Sequence, residues 1–302
     1  MEQVQPEKKN DNHVRKTKAE PHPVLEALLY SSVFISFCAL GLTIETYLLA
    51  GLEISLPLVW FVFLSTLFTY NLSSVQSMLR GIRQTKPRAQ QSWGQRHRNK
   101  LALLGLASIA GAAALYLYFD LQLNLWVVGH LALISIGYTV PIVYKARKVR
   151  PLRSVPLLKV FLIAYVWAVV TALFPLMDAG LQVWNEVSLL LGVRRFLFIL
   201  ALALLFDIRD YTYDRHTNTL TFPGLMGVHK TKLMSLALLL LYGTLVSLTE
   251  TGVTQVGLLA GAVIAAGIVM YASHKRSRLY YALLADGAML VHFACVYLAK
   301  SW

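Results

Sequence analysis

The stretch RRFLFILALALLFDIRDYTYDR, residues 194–215, decides the fold class, because it joins an uninterrupted apolar run to a cluster of charged residues. Its purely apolar part, residues 196–206, is shorter than the roughly 20 residues that a helix needs to cross a bilayer. The segment can span a membrane only if the helix continues into the charged part. The sequence therefore predicts a spanning helix whose carboxylates, Asp207, Asp210 and Asp214, lie in a polar cavity at membrane depth, where ionisable groups usually mark function.

The composition of the chain is that of a membrane protein. Of its 302 residues, 57% are hydrophobic and 14% are charged, whereas soluble domains contain about a quarter charged residues. The formal charge of +13 comes from basic loops, as in polytopic membrane proteins. No polar domain is present to hold a nucleic acid, so we expect no nucleic-acid partner. Cys38 and Cys295 lie inside apolar runs, which predicts buried thiols without a disulfide or a metal site.

Nine apolar segments are predicted to cross the membrane. They must be helical, because a closed barrel would show an alternating pattern that these runs lack. The predicted fold is an all-α membrane protein with nine transmembrane helices, arranged as two four-helix units plus one. Residues 1–22 are predicted to form a disordered cytoplasmic tail, and residues 23–302 a single transmembrane domain. The approximate limits of the spans are 24–46, 55–72, 101–119, 123–144, 157–175, 192–210, 232–249, 254–272 and 280–298.

The distribution of basic residues predicts the orientation. The loops after the second, fourth and eighth spans are rich in lysine and arginine, and with nine spans they all fall on one side. Positively charged loops mark the cytoplasmic side. We therefore expect the amino terminus and the aspartate motif to face the cytoplasm, with a bacterial inner membrane as the expected location.

The spacing of the three aspartates brings them together on one helix face, since they lie three and four residues apart. Clustered carboxylates repel each other unless a cation neutralises them. One candidate is Mg²⁺ that also contacts a phosphate, for which one or two carboxylates are a common ligand set. The other candidates are the neighbouring Arg209 and Arg215, in which case the acids form salt bridges and cap the helix end.

The motif resembles the second aspartate-rich signature of the UbiA-type intramembrane prenyltransferase superfamily. Residues 207–215, DIRDYTYDR, are similar to the D-x-x-D-x-x-x-D part of that signature. Thr221, Pro223 and Gly227 match the T-x-P-x-x-x-G part that follows. The number of spans and the basic stretch after the fourth span are also similar. The resemblance covers nearly the whole hydrophobic chain.

The first aspartate-rich signature departs from the family pattern. That signature resembles N-x-x-x-D-x-x-x-D after the second span, and this chain reads YNLSSVQSMLRG there. Asn71 fits the opening position, but Val75 and Leu79 stand where the two acids would be. One of two metal-binding clusters is therefore missing, and nearby arginines such as Arg83 could hold phosphate directly.

The resemblance implies transfer of an isoprenyl group from a prenyl diphosphate to a hydrophobic or aromatic acceptor, assisted by Mg²⁺. It implies that Asp207, Asp210 and Asp214 are the catalytic, metal-binding residues. The expected partners are a prenyl diphosphate, its acceptor and membrane lipids. The residues that we expect to contact substrate are Asn71, Arg83, Lys145, Arg215 and the lone intramembrane acid Asp286.

Three alternatives to this function remain. The first is a UbiA-like protein that has lost catalysis and binds a lipid or a partner, which the missing first signature favours. The second is a transporter, although transporters place charges near the midplane rather than at one helix end. The third is a CDP-alcohol phosphotransferase, whose signature needs glycine where this chain has Tyr211.

Overall fold

A computed structural model of the chain describes residues 23–81, 87, 91–139, 143–145, 148–150, 152, 155, 157–217 and 219–301. The predicted tail, residues 1–22, lies outside this part. The described chain is helical except for one antiparallel hairpin, in which β1 (Val143–Lys145) pairs with β2 (Lys148–Arg150). The α-helices are α1 (Pro23–Tyr30), α2 (Val33–Ala50), α3 (Leu56–Leu79), α4 (Trp93–Arg96), α5 (Arg98–Tyr118), α6 (Leu125–Thr139), α7 (Leu158–Ala168), α8 (Phe174–Asp178), α9 (Glu186–His216), α10 (Phe222–Thr249), α11 (Gly252–Tyr271) and α12 (Asp286–Ser301).

Eight membrane spans can be identified among the described residues by helix length and apolar composition. Two of them contain a π-helical segment: Val169–Leu173 joins α7 to α8, and Tyr280–Ala285 leads into α12. The predicted all-helical membrane bundle is confirmed. The count of nine is not, because α6 has only 15 residues and is about 22 Å long at 1.5 Å per residue, short of the roughly 30 Å hydrocarbon core.

Helix α9 is the centre of the bundle. It runs without interruption through the aspartate motif to His216, so the predicted continuation of the apolar run into the charged residues is confirmed. Residues 197–205 are all buried, as expected for a helix surrounded by others. Helix α9 packs against α7 and α10, while α2 packs against α3 and α12, and α3 packs against α5.

Gly227 explains the last position of the second signature. Its backbone angles, φ 84° and ψ 158°, break the helical path inside α10. This region of backbone space is open almost only to glycine. The kink separates the first turns of α10, which begin at the N-cap Thr221 beside the aspartate motif, from the membrane-spanning remainder of the helix.

A buried polar network joins four helices away from the aspartate motif. Nη2 of Arg195 donates to Oε1 of Glu45 at 3.0 Å, and Oε2 of Glu45 lies 2.9 Å from Nδ1 of His292. The other ring nitrogen of His292 lies 2.7 Å from the hydroxyl of Tyr242. All four side chains are buried. Because Arg195 and Asp207 are 12 residues apart on α9, the network lies about 18 Å from the motif along the helix axis.

Candidate functional site

The centre of the site is an ammonium group between two carboxylates. Nζ of Lys159 lies 2.8 Å from Oδ1 of Asp207 and 3.3 Å from Oδ2 of Asp214. Asp207 and Asp214 are seven residues apart on α9, so two helical turns bring them to the same face. The Lys159 side chain is 16% exposed and those of Asp207 and Asp214 are 1% and 9% exposed. The lysine therefore pairs with two of the three signature acids in a largely dehydrated position and offsets one of their two negative charges.

Backbone and ring contacts fix the position of Lys159 at the start of α7. Leu157, the residue just before α7, has a left-handed φ of 60°. This conformation costs a residue other than glycine about 1 kcal/mol or more. The amide of Leu157 donates to the carbonyl of Leu220, just before α10. One turn further, the ring of Phe161 packs edge-on against that of Phe222. These contacts tie the start of α7 to the connection between α9 and α10, which follows the motif.

The third signature acid has a different partner. Asp210 accepts two hydrogen bonds from Arg209, from Nε at 2.8 Å and from Nη2 at 2.9 Å. Both side chains are about one-third exposed, at 35% and 34%. The guanidinium also lies 5.0 Å from the ring centroid of Phe206. Asp210 and Arg209 thus form an accessible ion pair beside the more buried lysine.

These charged groups form one end of a cavity of about 640 Å³. Its charged lining residues are Lys159, Arg209, Asp210, Asp214 and Asp286. The remaining lining is mostly apolar and aromatic, and includes Ile163, Ile199, Leu202, Met289, Tyr138 and Trp167. The volume lies within the range of ligand-binding pockets. Its two-part lining suits an amphiphile with an anionic head and a hydrocarbon tail.

A second, almost wholly apolar groove of about 410 Å³ adjoins this cavity. Tyr70 and Trp167 line both spaces, and Nε1 of Trp167 donates to the Tyr70 hydroxyl at 3.3 Å. The groove extends to Leu117 and Leu125, which are exposed on the outer surface of the bundle at 77% and 67%. In a membrane this surface contacts lipid, so the groove connects the lipid side to the Tyr70–Trp167 pair.

Asp286 lines the cavity at the start of α12. In the part of the chain that the structure describes, its carboxylate makes no hydrogen bond or ion pair; its carbonyl accepts from the thiol of Cys38 at 3.4 Å. A carboxylate without a partner that faces a cavity inside a membrane protein is available to a ligand.

The first-signature positions do not line the cavity. Asn71 is buried, and its amide donates to the carbonyls of Ser31 and Leu67. Val75 is 3% exposed and packs so closely on Gly105 of α5 that a β-carbon there would lie 2.9 Å from Val75 Cγ2. Leu79 is 72% exposed. Helix α3 therefore contributes Tyr70 to the cavity, and no acid.

Three further predicted contacts, those of Arg215, Arg83 and Lys145, are not found at the cavity among the described side chains. Arg215 is exposed and does not line the cavity. Arg83 lies outside the described residues. Lys145 belongs to β1, of which the structure describes the backbone only. Their expected contacts with diphosphate stay predictions.

Three solved membrane-protein structures have the same overall architecture. A UbiA homolog from Archaeoglobus fulgidus superposes with a TM-score of 0.56 at 13% identity, covering 92% of this chain and 98% of its own. A UbiA homolog from Aeropyrum pernix K1 gives 0.54 at 15% identity, covering 91% and 98%. The chain has a UbiA-type fold. A structure concerned with digeranylgeranylglyceryl phosphate synthase in membranes gives 0.51 at 15% identity, covering 91% and 97%.

The sequence itself matches no family model and no curated protein. The predicted resemblance to the UbiA-type fold is thus confirmed by three-dimensional structure. Within this UbiA-type bundle the aspartates of the second signature lie at the cavity. The first-signature positions on α3 do not, because Val75 packs against α5 and Leu79 is exposed.

The donor set of this UbiA-type site does not fit a divalent cation. Among the described residues, no group of three histidine, cysteine, aspartate or glutamate side chains is placed to hold a metal ion. A cation bridging Asp207 and Asp214 would coincide with the ammonium of Lys159, and Asp210 is engaged by Arg209. The expectation of Mg²⁺ therefore gains no support from the geometry.

Sequence reasoning did not identify Lys159 or Tyr70 as site residues. A signal for the lysine existed, because Lys159 is the one basic residue in the first turns of an otherwise apolar helix and a cation at that depth needs an acidic partner. No comparable signal marked Tyr70, whose place depends on how α3 packs against α7.

Proposed function

We propose that this protein is a membrane prenyltransferase that takes an isoprenyl diphosphate as donor and a hydrophobic or aromatic molecule as acceptor. The observation that carries the proposal is a single cavity with charged groups at one end and apolar and aromatic side chains along the rest. The UbiA-type fold supports the same reaction class.

The two ends of the donor would bind to different parts of the cavity. Lys159 and Arg209 would bind the phosphate oxygens, because ammonium and guanidinium groups form strong charge-assisted hydrogen bonds with phosphate. The isoprenoid tail would lie along Ile163, Ile199 and Leu202. A longer tail would pass the Tyr70–Trp167 pair into the apolar groove, which extends to the lipid-facing surface.

The reaction would break the bond between the allylic carbon and the diphosphate oxygen, and the diphosphate would leave with the electron pair. The positive charge that develops on the allylic carbon would be stabilised by the ring faces of Tyr70, Tyr138 and Trp167. The acceptor would form the new bond to that carbon. Its proton would pass to the carboxylate of Asp286, which makes no hydrogen bond or ion pair with any described residue.

Magnesium assistance was the expectation from the family resemblance. When bound, such an ion would neutralise the leaving diphosphate. Because Lys159 and Arg209 already pair with the signature acids, we derive no step through a metal. In this proposal the remaining N–H donors of the two side chains would form hydrogen bonds with the leaving diphosphate.

The remaining parts of the proposal concern placement. We propose one transmembrane domain over residues 23–302, with the aspartate motif and the tail of residues 1–22 on the cytoplasmic side and a bacterial inner membrane as the location. The basic loops support that orientation. The Arg209 and Asp210 side chains are 34% and 35% exposed, which suits contact with water at that end of the helix.

A second candidate function is metal-free binding of an isoprenoid phosphate without catalysis. The observation that favours it is the first-signature region, where Val75 is a buried packing residue rather than an acid. A protein of this kind would sequester or present a lipid phosphate.

A transfer assay separates the two functions. The full chain would be reconstituted in lipid nanodiscs with radiolabelled geranyl, farnesyl or geranylgeranyl diphosphate and a lipid extract as acceptor source. If the protein is a prenyltransferase, we expect a labelled product and released diphosphate, and we expect both to be lost in the Arg209→Gln variant. Saturable donor binding without product would favour the non-catalytic function, and neither binding nor product would reject both.

A further inference from the structure

We infer that Lys159 takes the bridging position that a divalent cation would need, so that this site binds the phosphate groups of its lipid without a metal. The inference rests on the proposed binding of an isoprenyl diphosphate. The geometry is specific, because one ammonium lies 2.8 Å from Asp207 and 3.3 Å from Asp214. These two acids are two turns apart on the same face of α9.

A metal and this lysine exclude each other. Mg²⁺ binds carboxylate oxygens at about 2.0–2.1 Å and requires near-octahedral geometry, so an ion shared by Asp207 and Asp214 would contact the ammonium. Two like charges at such a distance repel strongly in a site of low dielectric. The lysine has little freedom to withdraw, because its side chain is only 16% exposed and the start of α7 is tied to the segment before α10.

No described neighbouring acid compensates for the two that the lysine occupies. Helix α3, which carries the first-signature positions, presents Val75 to α5 and Leu79 to the outside. Asp210 is held by two hydrogen bonds from Arg209. Asp286 is available, but a single carboxylate does not hold Mg²⁺ without further ligands.

The side chains of Lys159 and Arg209 still have N–H donors with which to bind a phosphate. An ammonium has three N–H donors; one donates to Oδ2 of Asp214, and the contact with Oδ1 of Asp207 is an ion pair at 2.8 Å, so at least one donor is left for a phosphate. A guanidinium has five donors, of which Asp210 uses two. The Arg209 side chain is 34% exposed, so a phosphate can approach it. Both residues line the cavity.

This arrangement reverses the expected effect of one substitution. At a metal site, removing a carboxylate ligand weakens binding of the metal–diphosphate complex. Here Asp210 competes with phosphate for Arg209 and adds negative charge beside it. Asp210→Asn should therefore strengthen metal-free binding of the diphosphate, whereas Lys159→Met should weaken it roughly tenfold or more, as expected for loss of a charge-assisted hydrogen bond.

The test uses the full chain in detergent and farnesyl S-thiolodiphosphate, which resists hydrolysis, as probe. Binding is measured by calorimetry in EDTA and in Mg²⁺ for the wild type, Lys159→Met, Asp210→Asn and Lys230→Met. Lys230 is an exposed lysine early in α10 that does not line the cavity, so its replacement is the matched control. The expected result is equal binding in EDTA and Mg²⁺, with a loss only in Lys159→Met and a gain in Asp210→Asn. Binding in EDTA that a folded Lys159→Met variant retains would overturn the inference.

A second arm measures the metal directly and needs no prenyl probe. Electron paramagnetic resonance reports free Mn²⁺, which substitutes for Mg²⁺. The expected result is no stoichiometric Mn²⁺ binding by the wild type, and a gain of binding in Lys159→Met. Stoichiometric binding by the wild type that Asp207→Asn abolishes would overturn the inference and leave the proposed function intact. If the probe binds under neither condition, the proposed function fails, and the Mn²⁺ arm alone decides whether the lysine excludes a metal.

Discussion

Arg195→Met should destabilise the bundle strongly, because it breaks a buried ion pair from one side only. Nη2 of Arg195 lies 3.1 Å from the carbonyl of Leu42, 3.0 Å from Glu45 Oε1 and 3.2 Å from the hydroxyl of Thr46. The substitution removes all three contacts and leaves the carboxylate of Glu45, which is 1% exposed, with His292 as its remaining side-chain partner. Removing one member of a buried pair costs about 3–5 kcal/mol.

The neighbouring arginine is a matched control. Arg194 pairs with Glu250, whose side chain is 25% exposed, and also donates to the hydroxyl of Thr249. The Arg194 side chain is only 3% exposed, but water reaches Glu250 and can solvate it when the arginine is removed, so Arg194→Met should cost about 1 kcal/mol. The double variant Glu45→Leu/Arg195→Met removes both charges, and should be less destabilised than Arg195→Met alone.

The free energy of unfolding can be measured by reversible denaturation in mixed micelles, followed by far-ultraviolet circular dichroism. The reasoning predicts a large loss for Arg195→Met, a small loss for Arg194→Met and partial recovery in the double variant. An Arg195→Met variant no less stable than Arg194→Met would refute the account of the network. A Glu45→Leu/Arg195→Met double variant that is no more stable than Arg195→Met alone would also refute it.

Four further substitutions test packing and function. Gly261→Ala should cost about 1–3 kcal/mol, because its β-carbon would lie 2.7 Å from Cδ2 of His292. Gly267→Ala, whose β-carbon would have nothing within 4 Å, should stay within about 1 kcal/mol of the wild type. The same unfolding measurement compares the two variants, and equal effects would contradict the close packing at Gly261. Asp286→Asn should slow prenyl transfer roughly 100-fold or more while the dissociation constant for farnesyl S-thiolodiphosphate stays unchanged; a change in binding alone would reject its role as base. Trp167→Ala should shift the ratio of affinities toward the geranylgeranyl over the geranyl analogue, because it opens the cavity to the apolar groove; calorimetry measures the ratio, and an unchanged ratio would show that the tail does not pass this way.

The apolar runs were sufficient to predict the membrane bundle, and the aspartate motif predicted the end of α9 at which the charged cavity lies. The continuation of α9 through Asp207 to His216 followed from the shortness of the apolar run alone. The boundary of the fourth span did not follow. Its predicted limit of residue 144 overran Thr139, and the sequence TVPIVY contains a proline that disfavours helix for the residue before it. That signal outweighs the hydrophobicity on which the limit was based.

The details of the site depended on tertiary contacts that spacing cannot show. Helical periodicity placed Asp207, Asp210 and Asp214 on nearby faces, but it could not show that Lys159, from another helix, lies between two of them. Periodicity also could not show that Val75 faces Gly105 rather than the cavity. The charge balance of a site formed by two helices is set by their packing, so it becomes visible only in the folded chain.

Photolabelling of the cavity tests the central claim most directly. The full chain in nanodiscs would be irradiated with a farnesyl diphosphate analogue that carries a diazirine on its tail, and the labelled residues would be identified by mass spectrometry. We predict saturable labelling of the apolar lining, at Ile163, Ile199 and Leu202, that unlabelled farnesyl diphosphate prevents. Labelling confined to the lipid-facing surface, and insensitive to that competitor, would contradict the assignment of this cavity as a prenyl diphosphate site.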